Sequence, residues 1–353
     1  MSAPGPTRNG PAAGTEPSAL DPREVHISQD TSPALDRSAS PGPCPRPRRI
    51  PPRDLKILLE LMRRGPVAVL TGAGCSTESG IPDYRGPRTD RRDHDPIQYR
   101  EFVEQPGTRA RYWARSAVGW TRVRDAAPND AHRALARLES AGPVVGVITQ
   151  NVDGLHQAAG SQRVLELHGS LADVRCLECG RREARSSVQR RLLAMNPGFR
   201  HRRVGSDPAS GEAGEAGGKT GGEASVGREA ELAPDGDARV DDEVARDLTV
   251  PGCRRCGGVL KPDVVFFGEN VPPERVERAW ALLDEARVLL VAGSSLSVYS
   301  GYRFVRRSHE EGRPVGIVNL TSTRGDGEAS VRVAGRVGDV LPRVAAALDG
   351  GSG

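Results

Sequence analysis

The chain has 353 residues, a formal net charge of +4 at pH 7, 37% hydrophobic residues and only 4% aromatic ones. This length accommodates two domains or one large domain with appendages, and so low an aromatic content predicts that part of the chain lies outside any packed core. The small charge leaves no basic footprint for nucleic acid, and no apolar run reaches the roughly 20 residues of a membrane-spanning helix.

Residues 1–50 are rich in Pro, Ser and Gly without periodicity, which predicts a disordered tail. Cys44 lies in it and receives no role. The tail has no apolar h-region, and Glu16, Asp21, Glu24, Asp30 and Asp36 argue against an import leader. A cytoplasmic protein is the expectation. Leu55, Leu58, Leu59 and Met62 predict a helix over residues 54–64. The apolar run 67–70 then reads as a buried strand. It leads into Thr71-Gly72-Ala73-Gly74-Cys75-Ser76-Thr77-Glu78-Ser79-Gly80-Ile81-Pro82-Asp83-Tyr84-Arg85. A strand entering a glycine-rich turn is where α/β proteins bind phosphate, helped by the free N–H groups of the helix expected to follow. The dinucleotide fingerprint G-x-G-x-x-G would need Gly where Thr77 stands. Cys75 has no basic neighbour in sequence and reads as a small buried side chain.

Residues 96–120 have helical character and carry Phe102, Tyr112, Trp113 and Trp120. These rings form either a groove or the core of a small lobe. A helix over 131–140 precedes a strand over 144–149, which ends in Thr149-Gln150-Asn151-Val152-Asp153-Gly154-Leu155-His156. Gln150, Asn151 and Asp153 suit ribose hydroxyls and a carboxamide, and Asn and Asp also cap helices. A strand over 164–167 places His168 at the carboxyl edge of the sheet, where α/β proteins bind ligands. His168 is a candidate general base, with His156, set inside a helix, as its competitor.

Cys176, Cys179, Cys253 and Cys256 form two C-x-x-C pairs. Four thiolates close a tetrahedron around a structural zinc ion, and the length of the intervening chain costs only logarithmically in loop entropy. Residues 199–249 are Gly-, Glu- and Asp-rich and predict a disordered insertion. Strand-like runs recur at 264–267, 288–292 and 315–319, with a helix over 273–285. Gly293-Ser294-Ser295 and Asn319 follow the last two runs as further cofactor candidates. The alternation predicts a doubly wound parallel α/β sheet. A hydride-transferring dehydrogenase would need an acid about 20 residues past the glycines. Asp90 and Asp93 stand near there, in an Arg-rich segment with no second strand before it.

In order and spacing, these blocks resemble the sirtuins, NAD-dependent protein-lysine deacylases, over about residues 51–345 apart from the insertion. Tyr84, Lys261-Pro262 and Tyr299-Ser300-Gly301-Tyr302 are most similar to the branch with the mitochondrial lipoamidase and ADP-ribosyltransferase sirtuins. The resemblance implies a Rossmann-like catalytic domain (51–174 and 257–349) with an inserted zinc-binding module (175–256). It implies His168 and Asn151 as catalytic residues. Cofactor contacts would come from Gly72, Ala73, Gly74, Thr77, Asp83, Tyr84, Arg85, Gln150, Asn151, Asp153, Gly293, Ser294, Ser295, Asn319, Leu320 and Val337. An acyl-lysine protein substrate would be added as a strand between Gly268, Glu269 and Asn270 on one side and Val298 and Tyr299 on the other. Val265 and Phe267 would line the lysine channel.

NAD would be consumed: the acyl oxygen attacks the ribose as nicotinamide leaves, His168 deprotonates the ribose hydroxyls, and water yields free lysine and O-acyl-ADP-ribose. One structural zinc, no specific nucleic acid, no membrane and a monomer complete the expectation. ADP-ribosyl transfer or lipoamide hydrolysis at the same site, and a non-catalytic zinc-ribbon scaffold, are the alternatives. Arg88, Arg91 and Arg92 have no nearby Tyr with which to bind an acidic acyl group, so neutral acyl-lysines are the expected substrates.

Overall fold

The computed structural model describes residues 50–84, 96–200, 236–238, 240 and 245–349. The predicted N-terminal tail, most of the predicted insertion, and Arg85, Arg88, Asp90, Arg91, Arg92 and Asp93 lie outside these residues.

The larger of the two sheets has strand order β3-β2-β1-β7-β8-β9. Its members are β1 (Val67–Thr71), β2 (Val144–Thr149), β3 (Val164–Glu166), β7 (Val288–Ala292), β8 (Val315–Asn319) and β9 (Val331–Ala334). Every pairing in it is parallel. Strands β1, β7 and β8 are buried along their whole length. Val-rich runs without polar alternation do this when helices cover both faces.

In β1, alternate residues serve opposite faces. Val67 and Val69 pack with Leu58, Leu135, Leu138 and Val340, from the helices Pro52–Met62, Asp130–Ser140 and Val337–Asp349. Ala68 and Leu70 pack with Leu282, Leu283 and Phe304, from Pro273–Asp284 and Tyr299–Glu310. Each fully buried Leu, Val or Phe contributes about 1.5–3 kcal/mol. β1 has β2 on one side and β7 on the other, so connections leave it in both directions. Ligands enter open α/β sheets at the carboxyl ends of the strands flanking such a point.

A second, antiparallel sheet has the order β5-β4-β6, with β4 (Gly169–Cys176), β5 (Arg182–Ala184) and β6 (Leu260–Val264). The helices Tyr99–Glu104, Pro106–Asp125 and Arg185–Met195 share its core. Phe102, Tyr112, Trp113 and Phe266 meet edge-on or tilted with centroids 5.1–5.5 Å apart. Of the two readings of these aromatics, the small-lobe core is the observed one, since Phe102 and Trp113 are fully buried. The Arg185 guanidinium stacks between Trp113 and Trp120, 5.0 and 4.9 Å from their centroids.

Two expectations are corrected. The strand expected at 264–267 ends at Val264 and pairs antiparallel with β4, not with the parallel sheet. Past it Gly268 has φ +76°, and the Glu269 N–H turns back to the Phe266 carbonyl. The helix expected after the glycine loop is two short 3-10 turns, Ala73–Cys75 and Thr77–Ser79, separated at Ser76 and stopped by left-handed Gly80. Strand β9 escaped the sequence reading because it is four residues long and only alternately buried.

Part of the segment read as an insertion is packed. Gly236, Asp237 and Ala238 are buried, and Asp237 pairs with Arg115 at 3.1 Å. Gly119 admits them: a Cβ there would overlap the Gly236 carbonyl. Among the described residues, no helix is long and apolar enough to cross a membrane.

Candidate active site and metal centre

The crossing from one sheet to the other sets the site. β3 ends at Glu166, and β4 begins at Gly169 in the antiparallel sheet. Gly169 has φ +85°, and a Cβ on it would overlap the Asp263 carbonyl of β6. Only glycine serves there. His168, immediately before it, is fixed where the two lobes meet, and its carbonyl accepts the Val265 N–H at 2.8 Å.

The His168 ring is held at both nitrogens. Nδ1 lies 3.0 Å from the Gln150 carbonyl and Nε2 lies 2.8 Å from Ser300 Oγ. A carbonyl can only accept, so Nδ1 carries the proton. Nε2 therefore presents a lone pair, to which the Ser300 hydroxyl donates. Burial lowers the pKa of His168 to about 4, and the cationic Arg275 and Arg303 push it the same way. The imidazole is neutral at pH 7, in the form a general base requires.

Of the predicted cofactor residues, Gly72, Gln150, Gly293 and Asn319 stand at the carboxyl ends of β1, β2, β7 and β8. The Gly74 N–H donates to the Gly293 carbonyl at 2.8 Å, which joins the loops after β1 and β7. Gln150 Nε2 donates to Ser294 Oγ at 2.8 Å. Ser76 Oγ donates to Asp153 Oδ2 at 2.6 Å and accepts from Asn151 Nδ2 at 3.0 Å. Asp153 Oδ1 also accepts the Leu155 N–H at 2.9 Å, a turn contact two residues on, while Gly154 is the N-cap of the helix that follows. Thr77 Oγ1 donates to the Gly74 carbonyl at 3.2 Å. Ala73 opens the first 3-10 turn, and Ser295 Oγ lies 3.1 Å from Ser297 Oγ. Asn319 ends β8 with its amide turned to Thr321, and Leu320 follows it. Val337 is buried at the start of the last helix. Tyr84 meets Phe267 edge-on at 6.1 Å, two residues beyond the half-buried Pro82 and next to Asp83.

Val265, Phe267, Gly268, Glu269 and Asn270 form the segment after β6. It is pinned by a parallel bridge between Gln98 and Phe267 and by the Tyr99 N–H to the Phe267 carbonyl at 2.8 Å. Glu269 Oε2 accepts the Phe266 N–H and the buried Lys261 ammonium, both at 2.8 Å. Burial lowers the Lys261 pKa, and Glu269 opposes that shift. Val298 caps the helix Tyr299–Glu310, and Tyr299 opens it one turn before Arg303. Sequence reasoning missed Ser300 and Ser76 as partners of the site. Ser300 was readable in one respect: it stands in the first turn of a helix whose apolar face covers the sheet.

His156 is enclosed, with Nε2 2.9 Å from Thr71 Oγ1. It is not brought to the edge with His168.

The four cysteines come together. Cys176 Sγ is 3.5 Å from Cys256 Sγ, Cys179 Sγ is 3.7 Å from Cys253 Sγ, and all four sulfurs lie within 4.8 Å of one another. These separations exclude disulfides, whose sulfurs are about 2.05 Å apart. A tetrahedral zinc with Zn–S of about 2.3 Å places its sulfurs roughly 3.8 Å apart, so the set fits zinc. The N–H groups of Arg255 and Cys256 point at Cys253 and lower its pKa to about 6, whereas burial pushes Cys176 up to about 12, so it is the sulfur geometry that carries the fit.

A family model described as "Sir2 family" matches residues 72–300. The NAD-dependent protein deacetylase 1 of Streptomyces coelicolor is 50% identical over 292 residues, covering 83% of this chain and 89% of the relative. The NAD-dependent protein deacetylase 1 of Mycobacterium avium is 49% identical over 279 residues, 79% of this chain and 90% of the relative. A solved complex of Sir2 with a p53 peptide and NAD+ is 30% identical with a TM-score of 0.61, covering 85% of this chain and 99% of that one.

Proposed function

The chain belongs to the Sir2 family, and from that premise we propose that it is an NAD-dependent protein-lysine deacetylase with His168 as its general base. The observation that carries the reading is the His168 ring itself. Its Nδ1 proton is committed to the Gln150 carbonyl, its Nε2 lone pair faces only the exchangeable Ser300 hydroxyl, and burial keeps it neutral.

The donor set at the strand ends suits a dinucleotide. Gly72, Ala73 and Gly74 bring backbone close to the pyrophosphate, with Thr77 beside them. Ser294, Ser295, Asn319, Leu320 and Val337 receive the adenosine half, and Gln150, Asn151 and Asp153 the nicotinamide half. NAD supplies the ribosyl acceptor for the acyl group and is consumed as nicotinamide leaves. Asn151, held by Ser76, orients the ribose end, and Asp153 holds Ser76 in turn. His168 Nε2 takes the ribose proton once the Ser300 hydroxyl turns aside. We assign Asp83, Tyr84 and Arg85 to the cofactor contacts as well.

The protein substrate lies between the backbone of Gly268, Glu269 and Asn270 and that of Val298 and Tyr299. Glu269 supports this by bracing its own loop through Lys261 and the Phe266 N–H. Val265 and Phe267 give the lysine stem an apolar wall. The zinc would hold the hairpins of the small lobe and supply no chemistry, since four thiolates leave it no open position. Unbridged cysteines suit a reducing compartment, and we place the protein in the cytoplasm as a monomer. Incubation with NAD and an acetyl-lysine peptide tests the reading: free lysine, nicotinamide and O-acetyl-ADP-ribose should appear in equal amounts by mass spectrometry. Protein-bound ADP-ribose without deacetylation would overturn it.

A further inference from the structure

One side-chain cluster of the main lobe has no part in the function above. Cys75 comes from the turn Ala73–Cys75, His132 from the first turn of the helix Asp130–Ser140, and His156 from Leu155–Ala158. They are 0, 0 and 1% exposed. Each offers a ligand atom, and these atoms lie within 4.8 Å of one another. The two imidazole rings stand 4.8 Å apart at 62°.

His132 Nε2 and His156 Nδ1 are buried with no hydrogen-bond partner. Buried polar atoms are nearly always satisfied. Two orphaned ring nitrogens beside one thiol point to a shared missing partner. Their other nitrogens are already engaged as metal-bound imidazoles require. The Thr71 hydroxyl gives its proton to Thr149 at 2.9 Å, so it accepts from His156 Nε2 at 2.9 Å. That leaves a lone pair on His156 Nδ1. His132 Nδ1 lies 3.0 Å from Asn129 Oδ1 and 3.3 Å from the Asn129 N–H, so it can donate to the one or accept from the other. A metal at Nε2 selects the tautomer in which Nδ1 donates to Oδ1 and Nε2 keeps its lone pair.

We infer that Cys75, His132 and His156 form a second metal site, separate from the four cysteines, which takes a single cuprous ion. One thiolate and two imidazoles are a copper-type ligand set. Zinc in a closed site takes four ligands, and three are offered here. Cu(I) with one thiolate is neutral overall, whereas Zn(II) would leave a net positive charge in the core, which is costly to bury. The thiol proton passes to solvent as the Cu–S bond forms. Copper enters and remains Cu(I), so no oxidant or reductant is needed.

The test is an anaerobic titration of the zinc-loaded full chain with Cu(I) against bicinchoninate, with zinc release followed in parallel. One equivalent of copper should be taken up with zinc retained, and X-ray absorption at the copper edge should report one sulfur and two nitrogens. Cys75→Ser and His132→Gln should each weaken uptake at least tenfold. If a variant does not fold, the absorption spectrum of the parent decides alone. Equal uptake by Cys75→Ser, or copper bound only as zinc leaves and in an all-sulfur shell, would overturn the inference.

Discussion

Ser300 Oγ lies 2.8 Å from His168 Nε2, on the nitrogen that has to take the proton. The hydroxyl donates to the lone pair and so stabilises neutral imidazole, beside the burial that chiefly lowers the pKa. Ser300→Ala removes that donor, and the His168 pKa rises toward its ordinary value of about 6.5. The acid limb of kcat/KM should therefore move to higher pH. A neutral hydrogen bond of about 0.5–1.5 kcal/mol sets the change in rate at no more than roughly tenfold. Measured pH–rate profiles with the limb unmoved would show that Ser300 does not act on the imidazole.

The four-thiolate site should carry about one zinc per chain by elemental analysis. Cys179→Ala or Cys253→Ala should release it. Zinc binding of this kind contributes roughly 10–16 kcal/mol of apparent folding free energy, so the variants should become sensitive to proteolysis. Retained stability after complete metal loss would refute a structural role.

Buried neutral histidines make stability fall with acid. The pKa of His132 is lowered to about 4 and that of His156 to about 3, in both cases chiefly by burial. Below the ordinary pKa of about 6.5 the unfolded chain takes up protons that the folded chain refuses. Stability is thus fully present above pH 6.5 and is lost progressively down toward pH 4. At pH 5.5 the two groups together should cost about 3 kcal/mol relative to pH 8. Denaturant titrations across this range, with zinc retention checked, measure it. The double variant His132→Gln, His156→Gln should remove this share of the dependence and leave the share of buried His168.

Asp237 and Gly119 set a boundary on what can be removed. Residues 205–234 should be replaceable by a short Gly/Ser linker with turnover kept, because their composition buries no apolar face. Carrying the deletion through Ala238 should not be tolerated. Asp237 pairs with Arg115 in the small lobe, and Gly119 leaves no room for a side chain against Gly236. Gly119→Ala should lower the melting temperature by several degrees, as expected for overpacking of about 1–3 kcal/mol. Thermal unfolding of the two deletions and of Gly119→Ala would decide the matter.

The parts of this molecule that could be read from sequence are those where a local pattern coincides with a tertiary need. Val67, Val69, Val288 and Val315 announce buried parallel strands because both faces of the sheet are covered. The paired cysteines announce their own convergence. The apolar run Val264 to Phe267 misled because the strand ends at Val264 and Phe266 then feeds the aromatic cluster of the small lobe, ahead of a left-handed Gly268. Ser300 and Ser76 were not legible as partners of His168 and Asp153. Those contacts join residues 132 and 77 positions apart, and only the packing of helices on the sheet brings them together. The cluster of Cys75, His132 and His156 was hidden for the same reason, since each residue stands alone on its own element.

The most direct test of the account compares His168→Ala with His156→Ala and the parent, each given NAD and an acetyl-lysine peptide. Loss of a positioned general base costs about 10²–10⁴-fold. His168→Ala should lose deacetylation by that factor while binding NAD with near-parental affinity, and His156→Ala should chiefly lose thermal stability. Parental turnover by His168→Ala, or the catalytic loss falling on His156→Ala instead, would contradict the central claim.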